Sequence, residues 1–146
     1  IMNHSDTHPH MTKISKEKMI EEVTECDNKI EKITGIRPNL FRPPYGDYND
    51  SVVTTMHETG HYTIQWDVDS LDWKDLSAKQ IENRVLSRVK NGSIVLFHNQ
   101  GLHTAEALPE IIKEAYKQGY SFVPIGELIY KDGYTIDSSG KQHSQK

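Results

Sequence analysis

Apolar positions along this chain alternate between helical and strand-like spacing. Met19, Ile20, Val23, Cys26, Ile30 and Ile33 recur three or four apart behind a Ser15 cap, and Gly35 then Pro38 stop the run. The spacing predicts an amphipathic helix over 16–34. Leu40 and Phe41 form a short apolar segment leading into Arg42-Pro43-Pro44-Tyr45-Gly46, an ordered loop by virtue of its prolines and glycine. A second helix is expected over 50–59, with Val52, Val53 and Met56 inward and Gly60 ending it, followed by a strand from Tyr62 to Trp66. Ser77 and Gln80 make a capping box, Leu76 can staple onto Ile81, and Ile81, Val85 and Val89 carry that helix to Asn91-Gly92.

Ser93 to Phe97 reads as a wholly apolar strand of the kind buried on both faces. Leu108, Ile111, Ile112 and Ala115 mark the next helix, closed by Gly119, and Ser121-Phe122-Val123 is expected to be another short strand. From Lys131 on the chain is polar, so residues 1–130 are read as the major part of one domain and 131–146 as a tail, loose from Asp137 to Lys146. Strand followed by helix, at intervals of about 30 residues, points to an α/β fold of parallel strands joined by helical crossovers. Such folds place their chemistry in the loops after the carboxyl ends of the strands.

The 146 residues are 35% hydrophobic and 26% charged with a net charge of −4, which suits one globular core. No basic run interleaved with aromatics is present, so nucleic acid is excluded as an expected partner. Ile94 to Phe97, the longest apolar run, is far too short to span a membrane. Cys26, the single cysteine, falls at a helical core position and is expected to be a buried free thiol.

The unusual residues gather in the loops. His4 and His8 stand four apart with Pro9 closing the segment. In one turn they share a side and can reach a single metal ion, and the alternative for the spacing alone is a pair of solvated loop histidines. Pro9 disfavours the helical region for His8, so a single turn within a loop is expected. Arg42 to Gly46 follows one strand, Asp67 to Trp73 the next, and His98 ends the third. An acidic run such as Asp67 and Asp69 is ordinarily a solvated face. His10, His57, His61, His103 and His143 are read as structural or surface residues.

His4-Ser5-x-x-His8-Pro9, Arg42-Pro43-Pro44-Tyr45-Gly46, Asp69-Ser70-x-Asp72-Trp73 and Leu96-Phe97-His98, in this order, resemble motifs two to five of the carbohydrate esterase family 4 polysaccharide deacetylases, the NodB-homology fold. The segment from Phe122 to Gln142 also resembles the carboxyl end of sporulation-type bacterial members. Two departures stand out. The family's first motif, Thr-Phe-Asp-Asp, is absent, and Met2 stands where many members have glycine. The chain, opening at Ile1 directly against the first histidine, reads as a piece of a longer polypeptide.

The resemblance implies a distorted parallel (β/α) barrel, here lacking its first strand, and hydrolytic removal of acetyl groups from an N-acetylated polysaccharide. By that likeness His4 and His8 would bind zinc, or another divalent metal such as cobalt, with the missing aspartates as third ligand and general base. Arg42 would orient that base, the Tyr45 backbone amide would meet the developing oxyanion, and His98 would be the general acid, its ring held by Asp72. Pro44, Trp73 and Leu96 would wall the substrate pocket, although a rigid turn and ordinary packing account for such residues equally.

The missing segment is expected to come from another chain or to be replaced by self-association, and this chain alone is expected to be inactive. Peptidoglycan is favoured as substrate over chitin oligomers or O-acetylated xylan, which implies work outside the cytoplasmic membrane. The alternatives are a degenerate carbohydrate-binding or regulatory relative and a protein whose histidines bind metal adventitiously.

Overall fold

The computed structural model describes residues 1–145. The chain forms two compact units, Ile1–Gln65 with Tyr130–Lys146, and Trp66–Ile129.

The first unit is built on the helix α1 (Lys16–Thr34), whose ends lie where the sequence places them. The Ser15 hydroxyl accepts from the Lys18 amide, and Gly35 closes the helix in the left-handed region at φ 73°. β1 (Leu40–Phe41) precedes α2 (Asp50–Glu58), capped by Asn49, and β2 (Tyr62–Thr63) pairs with β1 in parallel. Asn3 adds a parallel bridge to Phe41, so β1 is flanked on both edges. Met11, Met19, Val23, Phe41, Val52 and Met56 make the core, with Ile14 and Tyr48 against it.

The inward face of α1 differs from the apolar stripe. Ile33 is 83% exposed, Ile20 lies at the surface and Cys26 is only half-buried, whereas the charged Glu22 and Asp27 are buried. Burying a carboxylate is tolerable only where donors surround it, and both have them. Glu22 accepts from the Asp6 and Thr7 amides and from the Thr7 hydroxyl, and Asp27 from the Asn3 side-chain amide and the buried His61 ring.

The expected loose tail is an antiparallel hairpin of β5 (Tyr134–Ile136) and β6 (Gln142–Ser144). Its turn is organised by Asp137, whose carboxylate accepts from the Ser139 amide and hydroxyl, the Lys141 amide and the His143 ring. Those bonds hold the Asp137 carboxyl far below the usual carboxylate range, the His143 bond contributing most. The Tyr48 hydroxyl donates to the Ser138 carbonyl, which ties the hairpin to the first unit. Polar composition hid this because the order comes from local side-chain bonds. Lys146 lies outside the described residues.

The second unit opens with β3 (Val68–Asp69), paired in parallel with β4 (Val95–Leu96). Between them lies α3 (Ala78–Leu86), with the expected capping box complete: the Ser77 hydroxyl accepts from the Gln80 amide and the Gln80 side chain from the Ser77 amide. Ser77→Ala is expected to lower stability by about 1 kcal/mol in chemical denaturation, since it orphans a helix-start donor. α3 ends at Leu86, earlier than expected. Beyond it the chain turns so that Ser93 and Ile94 can bond the Asp67 carboxylate, which sets the entry to β4.

α4 (Thr104–Lys117) and α5 (Ile125–Leu128) follow, and Ile81, Val85, Ala107 and Ile111 form the core. The strand around Val95 is half-buried rather than buried on both faces, because β3 is its one ladder partner among the described residues. Ser121–Val123 forms no ladder, and Phe122 and Val123 are exposed. Among the described residues the parallel pairing consists of β1 with β2 in the first unit and β3 with β4 in the second. No helix among these residues is long and apolar enough to cross a membrane.

Candidate active site

In the first unit the candidate residues leave the carboxyl ends of neighbouring backbone runs. His4 follows the bridging Asn3, and Arg42 follows β1. The rings of His4 and His8 meet edge to face with centroids 5.0 Å apart. No helical turn achieves this. The loop does so with Ser5 and His8 both in the left-handed region, at φ 66° and 60°, so His8 stays out of the right-handed helical region, as Pro9 suggests.

The His4 Nδ1 lies 2.6 Å from the Arg42 carbonyl oxygen. A carbonyl only accepts, so Nδ1 carries the proton and Nε2 of the neutral ring presents a lone pair. Partial burial pushes the His4 pKa down, against the opposing pull of that carbonyl, and the ring is thereby kept neutral. A donor fixed in tautomer by a backbone acceptor is what a metal-bound histidine requires. His4 and His8 therefore fit as two ligands of a zinc-type ion. Among the described residues no cluster of three or more His, Cys, Asp or Glu side chains is placed to hold a metal.

Tyr45 sits inside the 3-10 turn Pro44–Gly46 at φ 60°. Pro43 and Pro44 are buried, which stiffens the turn and gives Pro44 a packing role. The Tyr45 ring is held between His8, at 4.6 Å edge to face, and His10, stacked at 4.1 Å. Among the described residues its backbone amide has no acceptor. Arg42 is half-buried, and burial lowers its pKa.

In the second unit the loop after β3 and the end of β4 bring Asp72 and His98 together. The Asp72 side chain is fully buried, and its Oδ1 lies 2.7 Å from His98 Nδ1, while the His98 backbone amide donates to both carboxylate oxygens. The Thr104 hydroxyl, at the start of α4, donates to Oδ2 at 2.5 Å. Burial alone would push the Asp72 carboxyl up. The donors from Thr104 and His98 outweigh it and hold the pKa below the ordinary carboxylate range. The ionised carboxylate only accepts, so His98 Nδ1 carries a proton and Nε2 is left for chemistry on a ring that is 31% exposed.

Trp73 is half exposed, its ring 6.3 Å from that of His98, and Leu96 is half-buried in β4 two residues before it. Asp67 is exposed, as expected of an acidic run, and Asp69 half-buried, yet both carboxylates also hold backbone in place. Asp67 anchors β4, and Asp69 accepts from the Leu71 amide while its carbonyl takes the Arg84 guanidinium.

Thr104 and Gly101 were not singled out by any motif. A Cβ at Gly101 would overlap Thr104 Oγ1 and lie 2.6 Å from Asp72 Oδ2. Gly101→Ala is therefore expected to break the Thr104–Asp72 bond and destabilise the protein by about 1–3 kcal/mol, measured by thermal unfolding. Only the close approach of the loop to Asp72 requires glycine here, and no sequence pattern announces it.

The polysaccharide deacetylase family model matches residues 1–64. The peptidoglycan-N-acetylmuramic acid deacetylase PdaC of Bacillus subtilis is 39% identical over 126 residues, 86% of this chain and 26% of that protein. A peptidoglycan-N-acetylglucosamine deacetylase of Bacillus cereus is 37% identical over 134 residues, 88% of this chain and 62% of its own length. This chain thus spans from about a quarter to three-fifths of these relatives. Among solved structures, a CE4 family pseudoenzyme from Bacillus anthracis superposes with a TM-score of 0.83 at 35% identity, over 87% of this chain and 45% of that one.

Proposed function

Because the chain belongs to the polysaccharide deacetylases of carbohydrate esterase family 4, we propose that it contributes most of the site of a metal-dependent hydrolase that removes acetyl groups from N-acetylated amino sugars, those of peptidoglycan first. The observation that carries this reading is the buried, ionised Asp72 holding the accessible His98 ring by Nδ1. A merely structural histidine needs no such arrangement. The distorted parallel barrel belongs to the same reading, supported by the parallel β1–β2 and β3–β4 ladders. Action at the cell envelope belongs to it as well, because that is where such a substrate lies.

His4 and His8 would hold the metal through ring nitrogens, His4 through the Nε2 that its Nδ1 bond to the Arg42 carbonyl leaves free. When bound, zinc, or cobalt in its place, polarises the acetamide carbonyl and lowers the pKa of water. The Tyr45 amide donates to the carbonyl oxygen as it gains negative charge. Water adds to the carbonyl carbon, the C–N bond breaks, and His98 hands its Nε2 proton to the departing nitrogen, leaving acetate and a free amino sugar. Asp72 keeps the ring oriented for that transfer, and Trp73 and Leu96 lie on the same loop and strand as wall for the acetyl group.

Arg42 orients the general base. That base and the third ligand are aspartates in the family pattern, and the Thr-Phe-Asp-Asp motif is not among these 146 residues.

The test is complementation. The chain by itself is expected to release negligible acetate from N-acetylated muropeptides. Mixed with a segment carrying an Asp-Asp pair, it is expected to bind about one zinc and release acetate. A complemented protein that binds glycan without releasing acetate would favour the second reading, a non-catalytic relative, which the similarity to the Bacillus anthracis pseudoenzyme supports.

A further inference from the structure

α1 buries a charge where its apolar periodicity calls for none. Glu22 is 1% exposed, and its carboxylate reaches out of the helix to the loop between the two histidines. Oε2 accepts from the Asp6 amide at 3.1 Å and the Thr7 amide at 2.7 Å, and Oε1 accepts from the Thr7 hydroxyl at 2.7 Å. Lys18, partly exposed one turn earlier, stands 3.5 Å from Oε1. Residues 6 and 7 are thus gripped at three points by one side chain of a neighbouring element.

The same helix grips the loop at its root. Asn3 is buried, and its side-chain amide donates to the Val23 carbonyl at 2.8 Å and to Asp27 at 2.7 Å, while its Oδ1 accepts from the Ser5 amide at 2.9 Å. Ser5, between these anchors, and His8, just after the second, are both left-handed non-glycine residues. Such conformations persist only where the surroundings over-determine them. The hydrogen bonds made by Glu22 and Asn3 are those surroundings, and without them the loop relaxes and the two rings separate.

We propose that Glu22 is a positioning residue for the metal half-site, its carboxylate fixing the loop so that His4 and His8 converge on one ion, with Asn3 and Asp27 as the second anchor. The inference rests on the reading of His4 and His8 as metal ligands. It explains why α1 carries a carboxylate in its buried face. A helix that served only as packing would place an apolar residue there at no desolvation cost.

The experiment is a zinc titration of the 146-residue chain followed by the histidine ring resonances in NMR. Wild-type protein is expected to show the His4 and His8 rings shifting together with a single dissociation constant. Glu22→Gln, which keeps shape but removes one accepting oxygen, is expected to weaken zinc roughly 10- to 100-fold, the usual effect of losing a partner that orients a ligand. Thr7→Val removes a single donor at an exposed position, so it tests the clamp without endangering the fold, and is expected to weaken zinc in the same direction by less.

Val52→Ala, in the core away from the loop, serves as the control. It should lower the melting temperature and leave the zinc constant unchanged. Folded Glu22→Gln and Thr7→Val proteins that bind zinc as tightly as wild type would overturn the clamp while leaving the metal half-site intact. If the wild-type rings fail to respond to zinc, the metal reading itself falls, and the clamp falls with it.

Discussion

Replacing His98 with alanine in the complemented protein is expected to reduce kcat for acetamide hydrolysis by roughly 10²- to 10⁴-fold, the range for removal of a general acid. The expectation follows from the geometry at Nδ1. The buried Asp72 carboxylate takes that proton in a 2.7 Å bond, so Nε2 on the exposed side is the atom that gives a proton to the leaving nitrogen. An amine leaves poorly without protonation, whereas a nitrophenolate needs none. The loss should therefore shrink markedly when the substrate is a nitrophenyl acetate. Equal losses on both substrates would remove His98 from the acid role. Zinc affinity should not change, since His98 is not read as a ligand.

Asp72→Asn is expected to cost about 3 kcal/mol in stability at neutral pH, followed through the fluorescence of Trp66 and Trp73, both of which lie in residues 66–129. Asparagine preserves the volume but offers one accepting oxygen where Asp72 offers two. The Thr104 hydroxyl, the His98 amide and His98 Nδ1 then compete for it, and one buried donor is left without a partner. The pH dependence has a definite sign. The folded pKa of Asp72 is held below the unfolded value, so its contribution is present above about pH 4 and is lost as pH falls through the folded value. The difference between wild type and Asp72→Asn in urea unfolding should consequently be full at pH 7 and shrink below about pH 4. A difference that grew on acidification would mean the carboxyl is held neutral in the folded state.

Much of this was legible from residue order, and the failures have common causes. Both ends of α1 followed from Ser15 and Gly35, and the start of α3 from Ser77 and Gln80, because capping is decided within four residues. The pairing of Asp72 with His98 and the meeting of His4 with His8 followed from ordered motifs. The burial of Glu22 and Asp27 was not legible, because periodicity assigns charges outward and only the fold reveals the donors that bring them in. Thr104 and Gly101 act through a contact 30 or so residues away in sequence, at about the crossover length of a βαβ unit, which no local pattern encodes. Phe122 and Val123 have the right residue types for a strand, but a strand is defined by its ladder partner, and none lies among the described residues.

The hairpin at residues 134–144 also has a bearing on how the molecule is made. The first compact unit is discontinuous, with residues 66–129 interposed between its two parts. On a ribosome, Tyr48 emerges 90 residues before Ser138, the acceptor of its hydroxyl. At cellular rates of elongation that is a wait of roughly 5–20 seconds, long compared with the formation of helices and hairpins. The core residues of both units, Met11 to Met56 and Ile81 to Ile111, are available before then. A nascent chain halted before β5 therefore carries a finished second unit and an uncovered Tyr48. Shortened forms of this protein should accordingly be recognised by quality control through the amino-terminal half, even when the damage lies at the other end.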